Sequence, residues 1–391
     1  MVPNGWKLTS LGEVCSGKLQ TGPFGSQLHA HEYTNEGVPV LMPKDLINFR
    51  PNHGSAAKIP VHRAEDLKKH TLKSGDILFS RRGDVARFAL IESDLPISLC
   101  GTGCLKATPN QTHSPLFLSY FLQKNAVRKW LEQNAVGQTM PNMNTAILAE
   151  LPLMVASCRE EEDKIAQILS TWDRGIATTE KLIDASKQQK KALMQQLLTG
   201  KKRLVDPETG KAFEGDWEEV LLGEISQITT GNSNREDSSL DAEYTFFDRS
   251  EDIRRSSRYL FDSEAVIVAG EGQDFVPKHF KGKFDLHQRT YAIMNFEKSV
   301  GKFLYYYIGF TRYYFLSQAV GSTVKSLRLP MFQKMPIKHP TIDEQQKIAS
   351  VLTAADEELK LLEAKLTHFK QEKKALMQQL LTGKRRVSLS S

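Results

Sequence analysis

Lys190–Arg203 reads KKALMQQLLTGKKR and Lys373–Arg386 reads KKALMQQLLTGKRR, identical at thirteen of fourteen positions across an offset of 183 residues. A match of that length is a duplication, and it runs backwards along the chain. At the same offset Lys164-Ile165-Ala166-Gln167-Ile168-Leu169 faces Lys347-Ile348-Ala349-Ser350-Val351-Leu352, and Asp173 faces Asp356. The repeated unit is about 40 residues long.

A 4,3 spacing in the first copy selects Ile165, Leu169, Trp172, Ile176, Thr179, Ile183, Ser186, Lys190, Leu193 and Leu197. The offset carries these to Ile348, Leu352, Ala355, Leu359, Leu362, Leu366, Phe369, Lys373, Leu376 and Leu380, where only Lys373 interrupts the apolar seam. Both copies therefore predict long helices. Neither contains proline, and each stops at a glycine (Gly200, Gly383) followed by basic residues that suit the carbonyl end of a helix. At ~1.5 Å per residue each is a rod of roughly 60 Å. A helix with one apolar stripe needs a partner face, and two near-identical copies offer it to each other. The expectation is an antiparallel coiled coil, which would place two globular domains at opposite ends. The alternative is that each helix packs on its own domain as an ordinary core helix.

The duplication continues more weakly outside the helices. Trp6-Lys7-Leu8-Thr9-Ser10-Leu11-Gly12-Glu13-Val14 matches Trp217-Glu218-Glu219-Val220-Leu221-Leu222-Gly223-Glu224-Ile225, and Thr21-Gly22 and Thr230-Gly231 follow. Gly137-Gln138-Thr139-Met140 parallels Gly321-Ser322-Thr323-Val324, and Leu151-Pro152-Leu153 parallels Met335-Pro336-Ile337. Between these marks, Asp76–Ser80 and Ala265–Ala269 read as strands, whereas Leu116–Gln133 and Lys302–Gln318 read as aromatic-rich helices. The fold class is α+β: globular domain 1–158, long helix 159–203, globular domain 204–340, long helix 341–391, with Lys201–Asp216 as linker.

The 391 residues exceed one ordinary core, and no run of about 18 apolar residues offers a membrane span. Met1–Ser10 lacks the apolar stretch of a secretory signal, so the expected location is the cytoplasm. The four cysteines form no CxxC pair and read as reduced thiols, with zinc at Cys100 and Cys104 as the lesser alternative. Net charge is +6, and both domains are mildly basic once the acidic linker region is set aside. Residues 1–158 carry 16 basic against 12 acidic groups, and residues 225–340 carry 16 against 13. That balance suits a polyanionic partner.

Catalytic patterns are missing from the sequence. It has no GxxxxGKS/T phosphate loop, no HExxH and no GxSxG elbow. Glu271 and Asp274 in a glycine-rich loop could hold a metal or form a solvated turn. Glu363-Ala364-Lys365 imitates part of a nuclease motif but falls on a rod helix. Recognition chemistry is better represented. In the first domain Gln20, Thr21, Ser26 and Gln27 lie in a glycine-punctuated loop able to meet phosphates. Arg81, Arg82 and Arg87 supply guanidinium forks suited to guanine, with surface ion pairing to Asp76 or Asp84 as the alternative. Gln138, Thr139 and Asn142 follow. The second domain offers Gln273, Lys278, Gln288, Arg289, Thr323, Lys325 and Arg328.

A tandem of diverged globular domains, each followed by a near-identical long helix, resembles the specificity subunit of type I restriction-modification enzymes over the whole chain. Thr21–Ser26, Lys73–Ser80 and Gly137–Asn142 look like the family's first target-recognition domain; His287–Tyr291 and Gly321–Arg328 are similar to the second. The resemblance implies a non-catalytic DNA-binding chain of a phage-defence system. Each domain would read one half of a split target, and the paired helices would set the gap and dock partners. The implied partners are double-stranded DNA, two methylation subunits bringing S-adenosylmethionine, and two restriction subunits bringing ATP and Mg, with no cofactor or catalytic group on this chain. Two rival readings are a DNA endonuclease or methyltransferase carrying its own recognition domain, and a coiled-coil scaffold that binds only protein. The absence of a D/N-P-P-Y/F adenine-methylase motif weighs against the enzyme.

Overall fold

The computed structural model describes residues 2–24, 27–93, 96–137, 141–239, 241–250 and 252–389. Two helices of 39 residues, Arg159–Leu197 and Ile342–Leu380, occupy the duplicated segments. Glu160, Glu161 and Glu162 in the first turn of one, and Asp343 and Glu344 in the other, complement the positive helix ends. Both helices terminate at a glycine in the left-handed region, Gly200 at φ +69° and Gly383 at φ +64°. Beyond each glycine the chain folds back, with the Lys202 amide donating to the Gln196 carbonyl (3.1 Å) and the Arg385 amide to the Gln379 carbonyl (3.2 Å).

Compactness divides the chain into Met1–Thr178 with Leu366–Ser391, and Thr179–Lys365. The division runs through both long helices, so each unit holds the beginning of one helix and the end of the other. The hydrophobic cores say why. In the first unit Ile165, Ala166 and Leu169 from one helix, with Leu380 at the end of the other and Leu381 just beyond it, close a core built on Phe79, Phe117 and Leu151. In the second, Leu197 and Leu198 join Ile348, Ala349 and Leu352 over Phe303, Phe315 and Phe332. The two alternatives for the helices are thus combined: each stripe is shared between a partner helix and a domain.

Within each unit the helices run antiparallel. Lys373 Nζ donates to Asp173 Oδ1 (2.6 Å) while Arg386, farther along, grips Glu161, farther back. In the other unit Lys190 pairs with Asp356, Lys187 with Glu363 (3.2 Å) and Arg203 with Glu344. The seam positions are buried or half-buried, and Trp172 meets Phe369 edge-on at 5.4 Å between ring centroids. Lys373, the interruption in the apolar seam, and its counterpart Lys190 each join a three-part polar cluster. Tyr120 Oη donates to Asp173 Oδ2 and Tyr306 Oη to Asp356 Oδ2, both at 2.7 Å, and each lysine ammonium also lies over the tyrosine ring, at 5.3 and 5.7 Å.

The domains are built alike at their base. Trp6–Ser10 pairs antiparallel with Pro152–Ala156, and Glu218–Leu221 with Pro336–His339. Trp6 packs on Phe117 and against Gly383; Trp217 packs on Phe303 and against Gly200. A bidentate arginine locks each base to a helix: Arg386 on Glu161 (2.6 and 2.7 Å) and Arg203 on Glu344 (2.7 and 2.7 Å). The same guanidiniums donate to backbone carbonyls two residues before the tryptophans, Asn4 and Gly215. The region Lys201–Asp216, read as linker, is therefore tied down.

Away from the base the sheets differ. The first unit has an antiparallel sheet ordered Leu19–Thr21, Cys104–Ala107, Ile77–Ser80, Phe88–Leu90, and a three-stranded sheet in which Val38–Leu41 pairs parallel with Leu99–Cys100. The second has one seven-stranded sheet centred on Phe261–Ala269 and Lys278–Leu286. Each aromatic helix expected from the sequence is split in two, Pro115–Leu122 with Asn125–Asn134, and Gly301–Phe310 with Tyr313–Gln318. The physical reason is visible in the first pair. Phe117–Leu122 are all buried, whereas Asn125–Asn134 buries only Val127 and Leu131, so a straight continuation would carry a polar face into the core. Cys15 and Cys100 are buried and their thiols pushed up to about 12 by desolvation, which keeps them protonated. Among the described residues no helix is long and apolar enough to cross a membrane.

Candidate nucleic-acid interface

In the first unit, three stretches distant in sequence meet. The chain leaves the strand Leu19–Thr21 at Gly22, whose amide donates to the Cys104 carbonyl (3.0 Å); a Cβ there would stand 1.9 Å from the Gly101 carbonyl oxygen, so only glycine passes. Two residues on, the exposed Phe24 ring lies 5.2 Å from the Arg81 guanidinium. The Arg81 amide donates to the Gly103 carbonyl and its carbonyl accepts from the Met143 amide, both at 2.8 Å. Arg82 forms a β-bridge with Asn142, and the Gly83 amide donates to the Pro141 carbonyl (3.1 Å). Loops around residues 22–24, 81–83 and 141–143 thus form one surface.

The sequence candidates fare differently on it. Arg82 is exposed and has the β-bridge to Asn142 as its link to the frame. Arg81 Nε and Asn142 Oδ1 are buried without a hydrogen-bond partner. Arg87 realises the alternative reading, because Nε donates to Asp84 Oδ2 (3.1 Å), and Arg128, absent from the candidates, reaches the same carboxylate at 3.6 Å. Gln20 is half-buried and engages His70 (3.3 Å); burial, then Lys69 and Lys106, holds that imidazole below its usual value. Thr21 pairs with Leu105 in the sheet, and Gln27 Oε1 accepts from the Phe24 amide (3.4 Å). Ser26, Gln138 and Thr139 lie outside the described residues.

The second unit presents a cleft lined by Arg235, Asp248, Arg249, Glu271, His287, Gln288 and Arg289. Arg289 Nη1 donates to both oxygens of Glu271 (2.9 and 3.1 Å), and Arg249 stands 3.8 Å from the same carboxylate. Of the two loop carboxylates singled out in the sequence, Glu271 is taken up by these arginines, whereas Asp274, on an exposed bend with Arg312 at 3.4 Å, fits the solvated turn. Asp248 is buried and accepts from the Ser250 amide (2.8 Å), which with the Ser250 hydroxyl lowers its pKa against the opposing effect of burial. His287 is held below its usual value by burial, with Arg289 and Arg249 acting in the same sense, so it is neutral near pH 7. Gln288 Nε2 donates to Asn234 Oδ1 (2.6 Å). Lys325 pairs with Gly272 in a short ladder; Gln273, Thr323 and Arg328 are exposed. Lys278 is half-buried, with Nζ donating to the Ser250 carbonyl. Arg235 and Arg249 escaped the sequence reading, although the density of arginine between Arg249 and Arg258 was a usable signal.

The two surfaces share one backbone frame. Gly103–Arg81–Met143 in the first unit is matched by Arg289–Gly270–Leu327 in the second: the Gly270 amide donates to the Arg289 carbonyl (2.8 Å), and its carbonyl accepts from the Leu327 amide (2.7 Å). The bridge Val136 to Asn142 matches Val320 to Ser326, and Arg82 opposite Asn142 matches Glu271 opposite Ser326. Gly137 and Gly321 turn both loops at positive φ, +103° and +115°. Arg81 is therefore replaced by Gly270, and Arg82 by Glu271, on equivalent backbone.

A duplicated α+β pair, each member displaying a polar, arginine-bearing frame, defines a recognition protein. Comparison with known proteins agrees. The family described as "Type I restriction modification DNA specificity domain" matches residues 3–187 and 214–370. The MjaX type I restriction enzyme specificity subunit of Methanocaldococcus jannaschii is 27% identical over 99% of this chain and 95% of its own. The EcoDI specificity subunit of Escherichia coli is 30% identical over 43% of this chain and 37% of its own. Among solved structures, the S subunit of a type I system from M. genitalium superposes with a TM-score of 0.64 at 15% identity, covering 100% of this chain and 99% of that one. The HsdS subunit from Thermoanaerobacter tengcongensis gives 0.54 at 17%, covering 98% of each. The chain belongs to the family of type I restriction-modification DNA specificity subunits. It is a DNA-recognition subunit and not itself an enzyme.

Proposed function

We propose that the first unit reads one half of a bipartite DNA target and the second reads the other, while the paired long helices set the gap and dock two methylation and two restriction subunits. S-adenosylmethionine, ATP and Mg belong to those partners on this reading. The observation that carries it is the shared frame with exchanged side chains. Two equivalent backbones bearing Arg81-Arg82 in one unit and Gly270-Glu271 in the other offer the DNA the same approach but different donors and acceptors. Arg82, Asn142, Gln273, Gln288, Arg289, Lys325 and Arg328 are the proposed contacts, joined by Arg128, Arg235 and Arg249. Arg87, Gln20, Thr21, Gln27 and Lys278 serve the frame or a flanking phosphate.

The test is to co-express the chain with methylation subunits and map methylated adenines in host DNA. A split motif with a fixed gap is expected, and replacing 1–158 with the globular domain of another specificity subunit should change one half of it alone. A continuous motif, or a change in both halves, would remove the bipartite reading. Adding one heptad to both helices should lengthen the gap; an unchanged gap would remove the spacer role.

A further inference from the structure

Glu271 is out of place on a surface meant for DNA. A carboxylate facing phosphates is repelled, and the equivalent position in the first unit carries Arg82. Yet Glu271 is only 20% exposed, stands at the centre of the frame, and is held by Arg289 at 2.9 and 3.1 Å with Arg249 at 3.8 Å, both arginines about 60% exposed. Among the described residues the rest of the cleft adds donors and no second free carboxylate, because Asp248 is engaged by Ser250 and Arg235, His287 is neutral, and Gln288 is bonded to Asn234.

We infer that Glu271 and Arg289 together read a single G·C base pair in the half-site of the second unit. This rests on the proposed function above. The chemistry is one of matched edges. In the major groove a C·G pair sets the cytosine N4 amino group, a donor, beside guanine O6, an acceptor. Glu271 and Arg289 set an acceptor beside a donor about one hydrogen bond apart. Glu271 accepts from the cytosine amino group, and Arg289 swings its exposed fork onto guanine O6 and N7. Adenine also offers an amino group beside an acceptor, but thymine presents only O4 and a methyl to the fork, so the pair favours G·C. Arg249 stays against Glu271 and keeps the carboxylate compensated when Arg289 leaves it, and Arg235 meets a phosphate. The equivalent position of the first unit carries Arg82 in place of the carboxylate.

The experiment uses the full chain in its complex with methylation subunits and maps methylated sites for Glu271→Gln, Arg289→Lys and, as a control in the other unit, Arg82→Ala. Glu271→Gln and Arg289→Lys should each relax the same single G·C position in one half-site, by about tenfold in preference, with the other half and the gap unchanged. Arg82→Ala should alter only the other half. If Arg82→Ala changes its half while neither second-unit variant relaxes a G·C position, the pair reading falls and the half-site reading stands. If none of the three changes any half, the half-site reading itself falls. Uniformly weaker methylation with an unchanged motif for Arg289→Lys would make Arg289 a phosphate contact and overturn the inference. Arg289→Lys keeps the charge, so it reports even if Glu271→Gln fails to assemble.

Discussion

The bases of the two units are chemically the same, and the side chains on their shared frame are not. Lys373–Asp173–Tyr120 and Lys190–Asp356–Tyr306 repeat atom for atom, as do the forks Arg386–Glu161 and Arg203–Glu344. On the equivalent frames Arg81 becomes Gly270 and Arg82 becomes Glu271. Where the task is to bury a helix end or fix a register, one solution serves twice. Where the backbone only presents side chains to something outside, the side chains diverge.

The sharpest way to break this comparison is to impose one frame on the other. Arg81→Gly with Arg82→Glu should reduce binding to the half-site of the first unit on the order of 100-fold, roughly the worth of one or two good base contacts. Because Arg82 is exposed, the melting temperature should stay within a few degrees. Binding by equilibrium titration and melting by circular dichroism check both, and a large loss of stability would show that the frame depends on these side chains.

The bases should be breakable in graded fashion. Gly383→Ala strains a positive φ and brings a Cβ within 2.9 Å of the Trp6 ring, whereas Gly200→Ala meets Trp217 at 3.3 Å. We expect losses of about 2 kcal/mol for the first and about 1 kcal/mol for the second in urea unfolding. Equal losses would mean that backbone strain, not the ring, sets the cost.

The tyrosine clusters predict a pH dependence common to both units. Burial, followed by the neighbouring aspartate, raises the Tyr120 hydroxyl far above its ordinary value, and burial with Asp356 does the same for Tyr306. The folded chain then holds these protons more tightly than the unfolded one. The stability they contribute is complete below about pH 10 and falls as pH rises beyond it. Tyr120→Phe and Tyr306→Phe should each flatten that decline, which unfolding between pH 8 and 11 would register; a steeper decline would reverse the sign. The smallest effect is expected for Arg87→Ala. Its exposed pair with Asp84 is worth under about 1 kcal/mol, and half-site preference should not move.

Much of this architecture was legible in the sequence because the duplication made the chain its own comparison. The seam, the glycine stops and the closing base strands follow from offsets of 183 or 184 residues and from apolar periodicity, and the opening base strands from the Trp6 and Trp217 match at an offset of 211. Lys373 was legible only as an interruption. A periodicity records apolar residues and is blind to a polar one whose partner sits on another helix. The clue was nonetheless present, since Asp173 and Asp356 share the offset of the lysines that they bind. The frames were hidden for a different reason. Arg82 and Glu271 lie 189 positions apart, unlike the helices at 183 or Gly137 and Gly321 at 184, because insertions between the marks had shifted the count. Arg235 and Arg249 were hidden by distance in sequence from Arg289, which only the seven-stranded sheet brings near.

Arg386 binds the Asn4 carbonyl as Arg203 binds that of Gly215, and Trp6 sits on Gly383 as Trp217 sits on Gly200. From Gly200 to Trp217 the polypeptide is continuous; from Gly383 to Trp6 the same joint is made without a peptide link. The same joint is thus covalent in the second unit and closed by non-covalent contacts alone in the first.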